Sequence, residues 1–244
     1  MTQADKTAAK INENLDTNLL KIIAIISMVI DHVHKAFFPE NQIMAVLGRI
    51  SFPLIAYCVV VGCLYTRNIK RYMLRLGIFA VITQSLFLGA YVITRLTAQS
   101  SGMDADFLNL NILFTLLLGV IAIYALSDLR KRWFLLPLLV LFEWLVGVDY
   151  GLYGIGLIVL FYLMRERPRW LSACTIALWM LAWGLGDYFY IGPLGLDLQA
   201  FALLSLPLIY IHTNLRPRLN KYFFYIFYPA HFMILALLRV ILGL

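Results

Sequence analysis

The chain has 244 residues, 62% of them hydrophobic and only 14% charged, with a formal net charge of +7. Soluble domains hold roughly 45–50% apolar and about 25% charged residues, so this composition excludes an ordinary soluble globular protein. The basic residues alternate with apolar runs and form no single patch, which points to membrane lipids as partners and to no nucleic acid.

The opening residues, MTQADKTAAKINENLDTN, are polar and mixed in charge, and lack the basic start, apolar middle and small-residue cleavage site of a secretory signal. They are expected to form a cytoplasmic tail over 1–18, with one transmembrane domain over 19–244 whose first helix is retained. Apolar runs of membrane-crossing length then predict an all-α, polytopic helix bundle with about nine spans, at 19–38, 43–65, 72–94, 107–127, 133–148, 150–164, 170–187, 194–211 and 222–242.

Lys and Arg test that division, because basic residues in short loops stay cytoplasmic. One side collects Lys6, Lys10, Lys21, Arg67, Lys70, Arg71, Arg75, Arg130, Lys131, Arg132, Arg165, Arg167, Arg169, Arg216, Arg218 and Lys221, which is sixteen of the twenty. The other side keeps Lys35, Arg49, Arg95 and Arg239. Nine spans with the N-terminus inside follow. Cys58, Cys63 and Cys174 sit in apolar runs without metal-like spacing, so they are packing residues and no metal is expected.

Depth follows at 1.5 Å per residue, which puts His32 about 20 Å up the first helix. His231 falls near the middle of the last span, Glu143 in the outer half of the fifth, and Arg49, Asn111, Asp149 and Asp187 near outer helix ends. Ionisable groups inside a membrane cost at least about 2.5–3.5 kcal/mol each and mark a pathway or a site. Lys21 and His32 are eleven residues apart, which at about 100° each returns to within roughly 20°, so both face one way with Ile25 and Met28 between them. His34 points nearly opposite. Asp31 can pair locally with His34 and Lys35 at i+3 and i+4, and His32 is the residue that such pairing explains least.

The runs LLKIIAIISMVIDHV, LGRISFPLIAYCVVVGCLYTRNIKRYMLRL, LNILFTLLLG, DYGLYGIGLIVLFYL and FYIFYPAHFMILAL, arriving in this order over about 19–242, resemble the TraX family of conjugative pilin acetylation proteins. The resemblance implies an integral, multi-pass acetyltransferase of the bacterial inner membrane that takes acetyl from cytoplasmic acetyl-CoA and places it on the N-terminal amine of a pilin subunit. A wider group of membrane acyltransferases to which TraX proteins look related has a basic residue eleven positions before an essential histidine. Lys21 and His32 occupy that pattern here, with Lys where the wider group usually has Arg.

On this reading His32 is the catalytic base or nucleophile, with Asp31 beside it. Lys21, Arg67, Lys70, Arg71 and Arg75 would bind the phosphates of acetyl-CoA. Arg49, Asn111, Asp149, Tyr150 and His231 would hold the acceptor or the developing oxyanion, with help from the amides around Gly48. Plainer readings stand beside each: a kink at Pro53, a turn at DYGLYG, a buried hydrogen-bonding His231, a paired Glu143, a capping Asp187, basic loops that only set topology, and Trp133, Trp170 and Tyr188 as interface anchors. Other acceptors, a glycan or a lipid-linked molecule, would use the same machinery. The competing classes are a proton-coupled carrier, against which no inverted repeat is visible, and a silent assembly factor that packs on pilin helices.

Overall fold

The structure, a computed structural model, describes residues 16–96, 109–183, 188–191, 193–213, 215, 217, 220 and 222–242. Asp187 and the loop cations Lys6, Lys10, Arg216, Arg218 and Lys221 lie outside the described residues, as does the side chain of Arg95.

The first turn of a helix leaves amides without intrahelical acceptors, and short polar side chains supply them. Asp16 accepts the Leu19 amide at 3.3 Å and opens α1, Thr17–Phe37. Phe38 precedes Pro39, which disfavours helical backbone, and α1 ends there. Asn41 accepts the Met44 amide at 3.3 Å to start α2, Gln42–Gly48, and after a turn at Arg49 and Ile50 the chain continues as α3, Ser51–Tyr65. The sequence suggests a kink at Pro53, but the break lies at Arg49. Pro53 sits instead in the first turn of α3, where its missing N–H leaves no intrahelical bond unmade.

Next come α4, Ile69–Leu96; α5, Ile112–Leu126; α6, Leu129–Arg132; α7, Leu135–Val146; α8, Gly151–Met164; and α9, Arg169–Ala182. The expected span 194–211 is not one helix. Strand β1, Tyr188–Ile191, pairs antiparallel with β2, Leu194–Asp197, and a 3₁₀ helix, Leu198–Ser205, leads into the short α10, Leu206–Tyr210. The last helix is α11, Phe223–Leu242.

Among the described residues the chain is all-α apart from this hairpin. Among the described residues, three helical stretches are long and apolar enough to cross a membrane by length and composition: Gln42–Tyr65 (α2 and α3 together), Ile69–Ile93 and Phe223–Leu242. The other apolar helices, α5, α7, α8 and α9, run 12 to 15 residues, or about 18–23 Å at 1.5 Å per residue, against a hydrocarbon core of about 30 Å.

Eleven of the fifteen residues of α3 are buried, so this helix, apolar on every side, is the centre of the bundle. It packs against α1, α5, α8 and the 3₁₀ helix, while α11 closes one side by packing on α4 and α1. Gly154 lets three elements converge: a Cβ there would come within 2.8 Å of both Phe52 and Thr115. At the periphery the pattern inverts. Helix α7 buries only Leu139 and exposes Leu138, Leu141, Trp144 and Leu145, and Leu178 of α9 is equally open. An apolar surface this extensive is the surface of a membrane protein.

Candidate active site

Lys21, Ile25, Met28 and His32 follow one another at intervals of four, three and four, the spacing that aligns side chains on one helical face. In the fold this face of α1 looks into two cavities. The larger, about 360 Å³, begins at Lys21 and runs between α1, α3, α4, α5 and α11. The smaller, about 180 Å³, contains Asp31 and His32. Met28, Ser51, Ile112 and Tyr228 line both, so the two cavities abut directly beside His32.

Two cations stand on the wall of the larger cavity. The Lys21 ammonium lies 5.2 Å from the Phe224 ring centre. The Arg75 guanidinium lies 5.2 Å from Tyr72 and 5.6 Å from Tyr225, and its Nε donates to the Tyr225 hydroxyl at 3.3 Å. Aromatic faces thus hold both charges beside a mainly apolar channel. Arg67, Lys70 and Arg71, expected in the same role, are exposed around the start of α4 and do not line this cavity.

The smaller cavity is the more polar of the two. Asp31 accepts from the Arg49 guanidinium at 3.2 Å and pairs with the Lys35 ammonium at 3.5 Å. The Asp31–Lys35 pair is the local one that the i+4 spacing allows, while Arg49 comes from 18 residues away. Gly48 makes that approach possible, because a Cβ at this position would fall inside the Asp31 side chain. His34 turns away and meets the Phe38 carbonyl at 2.8 Å.

Of the groups expected to hold an acceptor, several are engaged in structure. The Arg49 and Ile50 amides donate to the Val46 and Leu47 carbonyls, closing α2, so they are not turned into the cavity as anion donors. Asn111 lines the cavity, yet its amide donates to the Ala80 carbonyl and to Gln84 Oε1, both at 2.9 Å, and its oxygen caps α5 through the Leu113 amide at 3.0 Å. It is a bolt between α4 and α5. Asp149 and Tyr150 do line the cavity: the Asp149 amide donates to the Leu110 carbonyl at 2.9 Å, and its own carbonyl accepts from the Thr115 hydroxyl. Tyr150 adopts φ 61°, uncommon outside glycine, and stacks on Phe52 with ring centres 4.1 Å apart.

His231 does not line the cavity. It stands behind His32, with its Nε2 2.7 Å from His32 Nδ1 and its own Nδ1 3.0 Å from the Phe227 carbonyl. Both imidazoles are buried, and Phe232 packs on the His32 ring at 4.1 Å between centres. Sequence spacing cannot reveal this contact across 199 residues, although Tyr228, His231 and Phe232 share one face of α11 and mark that face as turned inward. The aromatic partners of Lys21 and Arg75 were equally silent. Glu143 contributes to neither cavity.

The chain is 26% identical over 238 residues to the probable fimbrial assembly protein FimC, serogroup H1, of Dichelobacter nodosus, covering 91% of this chain and 95% of that protein. It is 28% identical over 169 residues to the uncharacterized protein RP591 of Rickettsia prowazekii (strain Madrid E), covering 66% of this chain and 61% of that one. No solved structure matches. The family model described as TraX protein matches residues 16–239, a stretch that contains α1 through most of α11 and every residue of both cavities, and the chain therefore belongs to the TraX family.

Proposed function

We propose that this protein is a multi-pass acetyltransferase of the bacterial inner membrane. On this reading the larger cavity takes acetyl-CoA from the cytoplasm and the smaller one receives the N-terminal amine of a pilin subunit from the opposite side. The observation that carries the reading is the meeting of two cavities of opposite character beside His32. Membership of TraX and the likeness to a fimbrial assembly protein support the pilin acceptor. On this reading the one-sided distribution of Lys and Arg keeps the tail at 1–18 cytoplasmic, which puts Lys21 and Arg75 at the side where the donor is made.

Lys21 and Arg75 would hold donor phosphates, with Arg67, Lys70 and Arg71 attracting them from the exposed surface, while the apolar channel takes the pantetheine arm. The thioester carbonyl then reaches the junction at Met28 and Tyr228. The amine nitrogen attacks that carbon, the C–N bond forms and the C–S bond breaks. The amine proton passes to His32 and from there to the departing thiolate, giving the amide and free CoA. Asp31 fixes Arg49 and Lys35 in the cavity wall, where their positive charge stabilises the oxyanion, and Asp149 and Tyr150 bound the space left for the acceptor.

The test is direct. Purified protein in nanodiscs, given acetyl-CoA and a peptide with a pilin N-terminus, is expected to release free thiol and to add the mass of one acetyl group to the peptide. His32→Ala should lower turnover by about 10²–10⁴-fold, the range that a general base supplies, while CoA still binds. Acetyl transfer that survives this change would overturn the reading. An enzyme for a glycan or lipid-linked acceptor would leave the peptide unmodified and release thiol only when that acceptor is supplied, and a carrier would release none with either.

A further inference from the structure

The two buried imidazoles make a chain of hydrogen bonds whose direction can be worked out. The Phe227 carbonyl can only accept, so the nitrogen 3.0 Å from it, His231 Nδ1, carries a proton. Neither ring forms an ion pair with a carboxylate among the described residues, so each is taken with a single proton. His231 Nε2 therefore presents a lone pair. The partner at 2.7 Å, His32 Nδ1, must then donate. One nitrogen is left over. His32 Nε2 has no proton and makes no hydrogen bond among the described residues, on a ring that lines the smaller cavity.

Local packing keeps this order. His231 is only 6% exposed, stacked against Phe227 with ring planes 10° apart, and α11 carries Pro229 two residues before it, which lacks an N–H to bond back into the preceding turn. The Phe227 carbonyl lies four residues before His231 on the same helix, so its distance to the ring is fixed by helix geometry.

We infer that His231 is a positioning residue: together with the Phe227 carbonyl it holds His32 in the Nδ1–H tautomer, leaving Nε2 bare to take the proton of the attacking amine. The inference rests on the acetyltransferase reading for its consequence but not for its geometry. His231 touches no substrate; it acts through the proton it accepts a share of. A histidine that merely filled the core would be replaceable by any ring of similar size.

The experiment uses the full chain in nanodiscs with ¹⁵N-labelled histidine, the His32 signals being assigned by their loss in His32→Gln. The expected spectrum has His32 protonated at Nδ1 and bare at Nε2. In His231→Phe, which keeps the ring and removes the acceptor, that tautomer should give way to Nε2–H or to a mixture. Turnover should fall by about tenfold or more, with donor KM unchanged within about twofold. His231→Gln, whose side-chain oxygen accepts a hydrogen bond, should restore the tautomer and most of the turnover. A wild-type His32 protonated at Nε2, or a His231→Phe protein with wild-type turnover, overturns the inference. If His231→Phe does not fold, the wild-type spectrum and the Gln variant decide. The tautomer is measured without turnover, so a chain that transfers no acetyl group would defeat the proposed function while the spectrum still judges the pairing.

Discussion

The two cavities on the His32 face of α1 differ in every physical respect. One is about 360 Å³, walled by aliphatic and aromatic side chains, with a cation at Lys21 and another at Arg75, each laid against aromatic rings. Its neighbour is half that size, about 180 Å³, and concentrates Asp31, Lys35, Arg49 and Asp149 in a small volume. A long ligand with an anionic head and a weakly polar stem suits the first; a short polar group suits the second. Placing both on one helix makes the junction, and not either cavity alone, the place where the proposed transfer would occur.

The sharpest way to break this comparison is to close the junction. Met28 lines both cavities, and Met28→Trp should lower acetyl transfer by about 10²-fold, the cost of misplacing reacting groups by an ångström, while CoA binding by calorimetry changes little. Unimpaired transfer would mean that the two spaces do not cooperate.

Next in size is the ion cluster. Asp31 and Arg49 have side chains only 12% and 11% exposed, so Asp31→Asn takes a carboxylate partner from a nearly buried guanidinium. Thermal unfolding in detergent should show a loss of about 2–3 kcal/mol, somewhat under the 3–5 kcal/mol of fully buried pairs because a cavity adjoins them.

A finer contrast separates the cations. Arg75→Ala should raise donor KM by about tenfold or more, as expected for a charge-assisted hydrogen bond of roughly 1.5–3 kcal/mol. Arg71→Ala, whose side chain is solvent-exposed, should change KM by about twofold or less. Equal effects from the two would erase the distinction between cavity wall and outer surface.

Much of this was legible in the sequence because helix periodicity is local. The stripe from Lys21 to His32, the opposed direction of His34 and the Asp31–Lys35 pair all follow from 3.6 residues per turn. The Arg49–Asp31 contact and the His32–His231 contact do not, since they depend on how whole helices pack. The hairpin at Tyr188–Asp197 escaped for another reason: a short aromatic and aliphatic run has the same apolar signature whether it is strand or helix. Asn111 carried a polar side chain to the right wall of the cavity, but only the fold reveals that both of its amide hydrogens are already engaged.

The pairing of His32 with His231 also has a temporal side. These residues belong to the first and the last helix, so the imidazole couple does not exist until the ribosome has delivered α11 and that helix has inserted. A product terminated before residue 223 would lack Tyr225, Tyr228 and Phe232 from the cavity walls and would hold an unescorted ring on α1. On the proposed acetyltransferase reading, full turnover therefore waits until α11 has packed against α1.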